Sequence, residues 1–473
     1  MNWTLALPEI VLALSGLAIL GIGVMPRQDT YFASCMATIG AFIVTGALVL
    51  GAPEGTAFGG QIASDAFARF MKIFTLGGAA LALALSIEWN RTEGIARFEY
   101  PVLVLFATLG MLVMISANDL MTLYLGLELL SLSLYVLAAF DRDNPRSAEA
   151  GLKFFVLGAL SSGLMLYGMS LVYGFAGTTN FDSLAEAMAT PANVSAGVIV
   201  GMVFMIAGFT FKVAAVPFHM WTPDVYEGAP SSVVAYFATA TKVGAIAVIV
   251  RVMVGPFGSL ADQWQQVMML ASLGSMVLGS FAALRQENIK RLLAYSWISH
   301  TGFVMMGLVA GGDAGLRGVI IYTPIYLIMS LGAFAVVVAM RRQGRAVENV
   351  SDLAGLARTD LGMAVWMGVF MFSMAGIPPL AGFFAKVFVF KAAIDAGLWT
   401  LAVVGVLSSV VSAFYYLRVV KVMFFDEPAG ALDARPAGTS FVMASTGLFN
   451  ALFFLWPAPL VAAAQAATAA LLR

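Results

Sequence analysis

The sequence predicts an all-α polytopic membrane protein of about 14 transmembrane helices, built as two inverted five-helix repeats with one broken helix in each. Three observations carry that expectation. The 473 residues are 61% apolar and 11% charged, with a mean hydropathy of +0.92, the balance of a membrane chain. Apolar runs of about 20 residues, enough to cross a hydrocarbon core about 30 Å thick, recur from end to end. Short sequence signals also return 164 residues apart, on spans that run in opposite directions.

Taken in order, spans fall near 4–24, 32–51, 67–87, 98–117, 119–140, 151–174 and 193–220, then near 231–254, 264–284, 290–310, 316–340, 361–394, 398–424 and 440–465. Met1-Asn2-Trp3-Thr4 lacks the basic start of a signal peptide and Glu9 interrupts the run behind it, so the first span is read as retained. The seventh and twelfth spans are long and carry Pro217 and Pro378-Pro379. Proline inside a membrane helix frees backbone carbonyls, and such breaks are tolerated where they line a polar cavity.

Glu149-Ala150-Gly151-Leu152-Lys153 opens the sixth span and Asp313-Ala314-Gly315-Leu316-Arg317 opens the eleventh; Thr108-Leu109-Gly110 and Ser272-Leu273-Gly274 keep the same offset. Five helices per repeat reverse the direction of the second copy. The expected organisation is therefore three N-terminal helices in 1–97, a first repeat in 98–255, an inverted second repeat in 256–425 and a C-terminal helix in 426–473, each repeat forming a half-channel.

Odd-numbered loops hold 15 of the 25 Lys and Arg residues, among them Arg27, Arg97, Arg142, Arg291 and Arg341, whereas even-numbered loops and the tail, with Arg473, hold 5. Odd loops are thus expected in the cytoplasm and both termini on the periplasmic side. No loop exceeds about 20 residues, too few for a catalytic domain. A net charge of −1 offers no nucleic-acid face. Cys35 is the single cysteine and His219 and His300 the only histidines, so no metal, haem or iron–sulfur site is expected in this chain. No phosphate-binding glycine pattern follows a strand signal, so no cofactor site is expected either.

What remains is a set of charges inside the apolar spans. Glu128 sits in the fifth, Lys212 in the seventh, Lys242 in the eighth and Lys386 in the twelfth. Together they cost about 10–14 kcal/mol to insert at about 2.5–3.5 kcal/mol each. A carboxylate near an amine raises its proton affinity and burial lowers it, so these residues form a proton relay, with Glu128 and Lys212 as its switch. The plain alternative for that pair is a fixed ion pair between helices. Lys153, His219, His300 and Tyr295 are second-rank candidates: Lys153 also reads as an amine reaching for headgroups, His219 as packing, and Tyr295 with His300 as partners of each other. Lys72, close to Arg69 at a span start, reads as a snorkelling residue. Asp224 and Glu227 read as solvated loop residues at the non-cytoplasmic end of the seventh span.

Three stretches are specific enough to carry a resemblance. They are Leu125-Gly126-Leu127-Glu128-Leu129-Leu130-Ser131, Phe211-Lys212-Val213-Ala214-Ala215-Val216-Pro217-Phe218-His219-Met220-Trp221-Thr222-Pro223-Asp224, and Ala375-Gly376-Ile377-Pro378-Pro379-Leu380-Ala381-Gly382-Phe383-Phe384-Ala385-Lys386. Together they resemble the antiporter-like membrane subunits of respiratory complex I, over nearly the whole chain. The resemblance implies a place in the bacterial inner membrane, in the membrane arm of a proton-pumping NADH:quinone oxidoreductase beside other antiporter-like subunits and lipid. It also implies Glu128 and Lys212 as the coupling pair, Lys242 as the central relay and Lys386 as the terminal one. NADH, FMN, iron–sulfur clusters and quinone then belong to partner subunits. A subunit of a multi-subunit sodium/proton antiporter is the alternative, since it shares the lysine-and-broken-helix design; a passive spacer of the membrane arm is the reading from another class.

Overall fold

The computed structural model describes residues 3–25, 30–190 and 194–472; Met1, Asn2, Arg27, the expected start of the seventh span at Asn193, and Arg473 lie outside them. Among the described residues the regular structure is helical apart from two short hairpins, 55–64 and 341–346. The helices are α1 Leu7–Gly23, α2 Thr30–Gly51, α3 Ala66–Thr92, α4 Glu99–Ser116, α5 Leu120–Ala138, α6 Pro145–Ala176, α7 Phe181–Met188 and α8 Ala196–Lys212, followed by α9 Trp221–Gly228, α10 Ser231–Phe237 and α11 Ala240–Val254. The second half holds α12 Ala261–Ala283, α13 Ile289–Ala310, α14 Gly312–Ala339, the short α15 Leu356–Thr359, α16 Leu361–Ala375, α17 Ala381–Asp395, α18 Trp399–Phe425, α19 Ala437–Leu452 and α20 Ala458–Leu471.

Among the described residues, twelve helices are long and apolar enough to cross a membrane by themselves. The seventh and twelfth expected spans complete the set of 14 as broken helices, α8 with α9 and α16 with α17. The last expected span differs: it is divided around Trp456-Pro457 into α19 and α20. With 14 residues at about 1.5 Å each, α20 is about 21 Å long, short of a full crossing. Pro457 explains the division, because its ring denies a helix the donor and the space it needs.

The loops sort onto two faces. Asn118 and Leu120 bond Gln61 and Thr179 through the backbone, which gathers the second, fourth and sixth loops. Ile289 bonds Glu348, Gly355 bonds Val422, and Arg418 reaches the carbonyls of Leu284 and Gln286, which gathers the odd-numbered, arginine-rich ones. In each repeat the first two helices approach through glycine: a Cβ on Gly110 of α4 would lie 2.6 Å from the Gly126 carbonyl of α5, and one on Gly279 of α12 would lie 2.5 Å from the Ser299 nitrogen of α13. The interior lies where α11, α13 and α14 meet, and the apolar window holding α10 and α11 is buried throughout. From the N-terminal side α3 packs on α10, α11 and α14, so it touches both repeats.

Candidate functional site

Both breaks are built so that the backbone groups they free find partners. Helix α8 ends at Lys212, and Ala214 adopts a left-handed φ of 60° in the turn that follows. The Phe211 carbonyl accepts from Trp221 Nε1 at 2.9 Å, the Val213 carbonyl from Trp297 Nε1 at 2.8 Å and Thr301 Oγ1 at 3.0 Å, and the Val216 amide donates to Ser275 at 2.9 Å. In the second break α16 ends at Ala375, whose carbonyl accepts from Lys386 Nζ at 2.9 Å, while Ser373 Oγ accepts from the Gly382 amide at 3.0 Å. Each break thus ends a half-helix beside an amine, where the negative end of the helix dipole favours a cation.

In the first repeat Lys212 Nζ donates to Ser131 Oγ of α5 at 2.7 Å and lies 6.0 Å from the Tyr135 ring. Glu128, one turn before Ser131, acts on Lys212 through space but forms no ion pair among the described residues, and its Oε1 has no hydrogen-bond partner. The fixed ion pair is therefore absent from this geometry, and a serine stands where a carboxylate contact was expected. Lys242 is 2% exposed. No carboxylate lies within ion-pair distance of it among the described residues; its ammonium is 5.0 Å from the Trp297 ring, 5.2 Å from Trp221 and 5.7 Å from Tyr226, a cation–π cage that compensates part of the burial. Lys212 and Lys242 border one small cavity of about 30 Å³, with Ser131 and Thr241 as further polar lining. About 10–15 Å³ is what one water needs, so there is room for one or two between the amines.

In the second repeat Lys386 is 6% exposed and also bonds Ser409 at 2.8 Å, with Phe303 beneath it at 5.0 Å. His300 is buried between two tyrosines, Nδ1 2.5 Å from Tyr322 and Nε2 3.1 Å from Tyr416, and Tyr416 bonds Ser296. Tyr295 does not pair with His300: it lies under Arg291, whose guanidinium is 6.0 Å from its ring. From Lys242 to His300 the connection is aromatic, through Trp297 and Tyr326, whose ring centroids are 4.5 and 5.1 Å apart along that line.

The remaining expected residues divide. His219 is half-buried and its Nδ1 has no hydrogen-bond partner. Lys153 is exposed and held in a charge cluster, 2.8 Å from Glu149 and 2.9 Å from Asp224; Arg291 then bridges Asp224 at 2.7 Å and Glu227 at 2.9 Å. This corrects three expectations. Lys153 pairs with acids instead of reaching alone for headgroups. Asp224 and Glu227 are ion-paired, and they belong to the arginine-rich face with Arg291, not to the opposite one. Lys72 is corrected too: it is 3% exposed and bonds Glu9 of α1 at 2.5 Å, with Ser116 donating to the same oxygen at 3.2 Å. A charge of opposite sign in each of the first and third apolar spans is the signal for that pair. The tyrosine partners of His300 and the aromatic cage of Lys242 had no such signal, because aromatic residues are common throughout the spans.

Residues 117–412 match the family described as NADH:quinone oxidoreductase/Mrp antiporter, TM. NADH-quinone oxidoreductase subunit N of Granulibacter bethesdensis is 57% identical over 479 aligned positions that cover all of both chains. Its counterpart in Rhodospirillum rubrum is 57% identical across 98% of this chain and 97% of that one. Among solved structures, a chain of respiratory complex I from Thermus thermophilus with bound aureothin superposes with a TM-score of 0.83 at 31% identity, covering 97% of this chain and 99% of its own. A chain of the Mrp complex from Dietzia sp. superposes with a TM-score of 0.86 at 22% identity, a likeness of fold alone.

Proposed function

This chain belongs to the NADH:quinone oxidoreductase/Mrp antiporter family, with the subunit N type of NADH-quinone oxidoreductase as its relatives, and from that premise we propose how it carries protons. It is a multi-span membrane-arm subunit of a proton-translocating NADH:quinone oxidoreductase. We read 98–255 and 256–425 as its two half-channels. It binds no redox group in this reading; NADH, FMN, iron–sulfur clusters and quinone act in partner subunits, and their effect arrives as charge or helix movement. We place it in the bacterial inner membrane with the arginine-rich face in the cytoplasm and the N-terminus opposite.

A proton reaching Lys212 is held by Ser131 and passes to Lys242 across the cavity they share. The aromatic stretch at Trp297 separates Lys242 from His300, so transfer into the second half needs that stretch to open, and Lys386 receives the charge against the Ala375 carbonyl. A change near Glu128, whose free oxygen leaves it responsive to a neighbour, alters the cost of charging Lys212. Each charge moved against the potential requires about 2.3 kcal/mol per 100 mV. The observation that carries this reading is that two amines, neither of them ion-paired among the described residues, border one water-sized cavity. Lys212→Ala or Glu128→Ala, in the assembled complex, is expected to lower proton pumping and coupled NADH oxidation together. Full pumping by either assembled variant removes that residue from the path.

A further inference from the structure

Beyond the relay, a groove of about 630 Å³ runs between α4, α5 and α6 at their arginine-rich ends. Its floor includes Leu152, exposed by 63%, and Phe155, exposed by 48%. Its rim carries Arg97, Glu99 and Arg142, all exposed. Neither guanidinium has an ion pair or a side-chain hydrogen bond among the described residues, in contrast to Arg291, Arg341, Arg342, Arg358 and Arg435 of the same face. Tyr135 forms the inner wall. It is 7% exposed, and its hydroxyl is buried without a partner. That hydroxyl rests against Gly158, where a Cβ would come within 2.1 Å of it, while the ring lies 6.0 Å from Lys212 Nζ.

An apolar floor at this depth is covered by acyl chains or by protein. Two unpaired arginines at headgroup level select phosphate, which a guanidinium binds through two parallel hydrogen bonds, and basic pockets between transmembrane helices on the cytoplasmic side hold phospholipid headgroups. With Glu99 unpaired beside them the rim is net positive by one charge. We propose that this groove holds one phospholipid, its phosphate between Arg97 and Arg142 and its chains on Leu152 and Phe155, against the Tyr135 wall of the Lys212 site. The lipid fixes the tyrosine that packs on Lys212. That consequence rests on the relay reading; the binding itself does not.

The test uses the whole complex, stripped of lipid and returned to phosphatidylcholine vesicles containing a trace of phosphatidylglycerol with a photoreactive acyl chain. The peptide carrying Leu152 and Phe155 is expected to take the label, and Arg97→Gln and Arg142→Gln to reduce it by about fivefold each. Arg→Lys at either position, which keeps the charge but not the paired hydrogen bonds, should fall between wild type and Gln, and excess inorganic phosphate should leave the label unchanged, since the chains hold the lipid. Both positions are exposed, so assembly is checked by native electrophoresis. Equal labelling in the double Gln variant overturns the proposal. So does an unlabelled groove in the wild-type complex, the result expected if a neighbouring subunit's helix fills it, and so does displacement by free phosphate, which would mark an anion site without chains. Lys212→Ala should stop pumping with the label intact, which separates failure of the relay from failure of the lipid site.

Discussion

The two halves of the molecule use one device and finish it differently. Lys212 is the last residue of α8, and Lys386 donates to the last carbonyl of α16, so in both an amine meets the end of a half-helix. In the first half the amine is half-buried, has serine as its bonded partner and lies near a carboxylate with a free oxygen. In the second it is buried and doubly bonded over the Phe303 ring, in a repeat whose histidine has both nitrogens engaged. The difference teaches that the broken helix supplies the cation site and the surrounding side chains decide its exposure to outside influence. The first half is open to a neighbour; the second is closed around its charge.

Four substitutions test that contrast, the first from outside both halves. Lys72→Met leaves the Glu9 carboxylate buried without its amine, at a cost of about 3–5 kcal/mol. Thermal denaturation of the purified complex should show the largest drop here, and adding Glu9→Gln should recover much of it; no recovery would mean that Lys72 acts through packing. In the closed half, Tyr322→Phe and Tyr416→Phe each strand a buried histidine nitrogen at about 1–3 kcal/mol, so stability and pumping should fall together. In the open half, Ser131→Ala should cost less, about 1 kcal/mol or below, because water can take over the bond of a half-buried amine. If Ser131→Ala destabilises as much as Tyr416→Phe, the open and closed description of the two halves is wrong.

The sequence disclosed those features that break a strong pattern. Pro217 and Pro378-Pro379 stand out in apolar runs, and the structure places the two helix breaks at them. Lys242 and Lys386 stand out as charges, and both are buried. Partnerships between distant spans were less legible. Glu128 and Lys212 suggested a direct contact because both are rare charges at similar depth, yet helix rotation brings Ser131, a residue of no distinction in the sequence, to the amine. Lys72 reads as a residue of the span's edge because Arg69 is close by, yet it is buried against Glu9, the complementary charge of the first span. Tyr322 and Tyr416 come from two other spans and meet His300 only once the second repeat has folded. Apolar length alone reads 440–465 as one span, whereas Pro457 divides it into two helices.

The stitching of loops within each face has a mechanical consequence. The second, fourth and sixth loops are fastened to one another, and so are the ninth, eleventh and thirteenth, so each of these two groups behaves as a plate. Between the plates, the unwound turns at 213–220 and 376–380 are where the rods joining them are jointed. A chain assembled this way transmits a sideways push on one flank by flexing those joints while both plates keep their outline. Clamping either plate with a chemical staple should therefore leave turnover intact, and stiffening a joint should halt it.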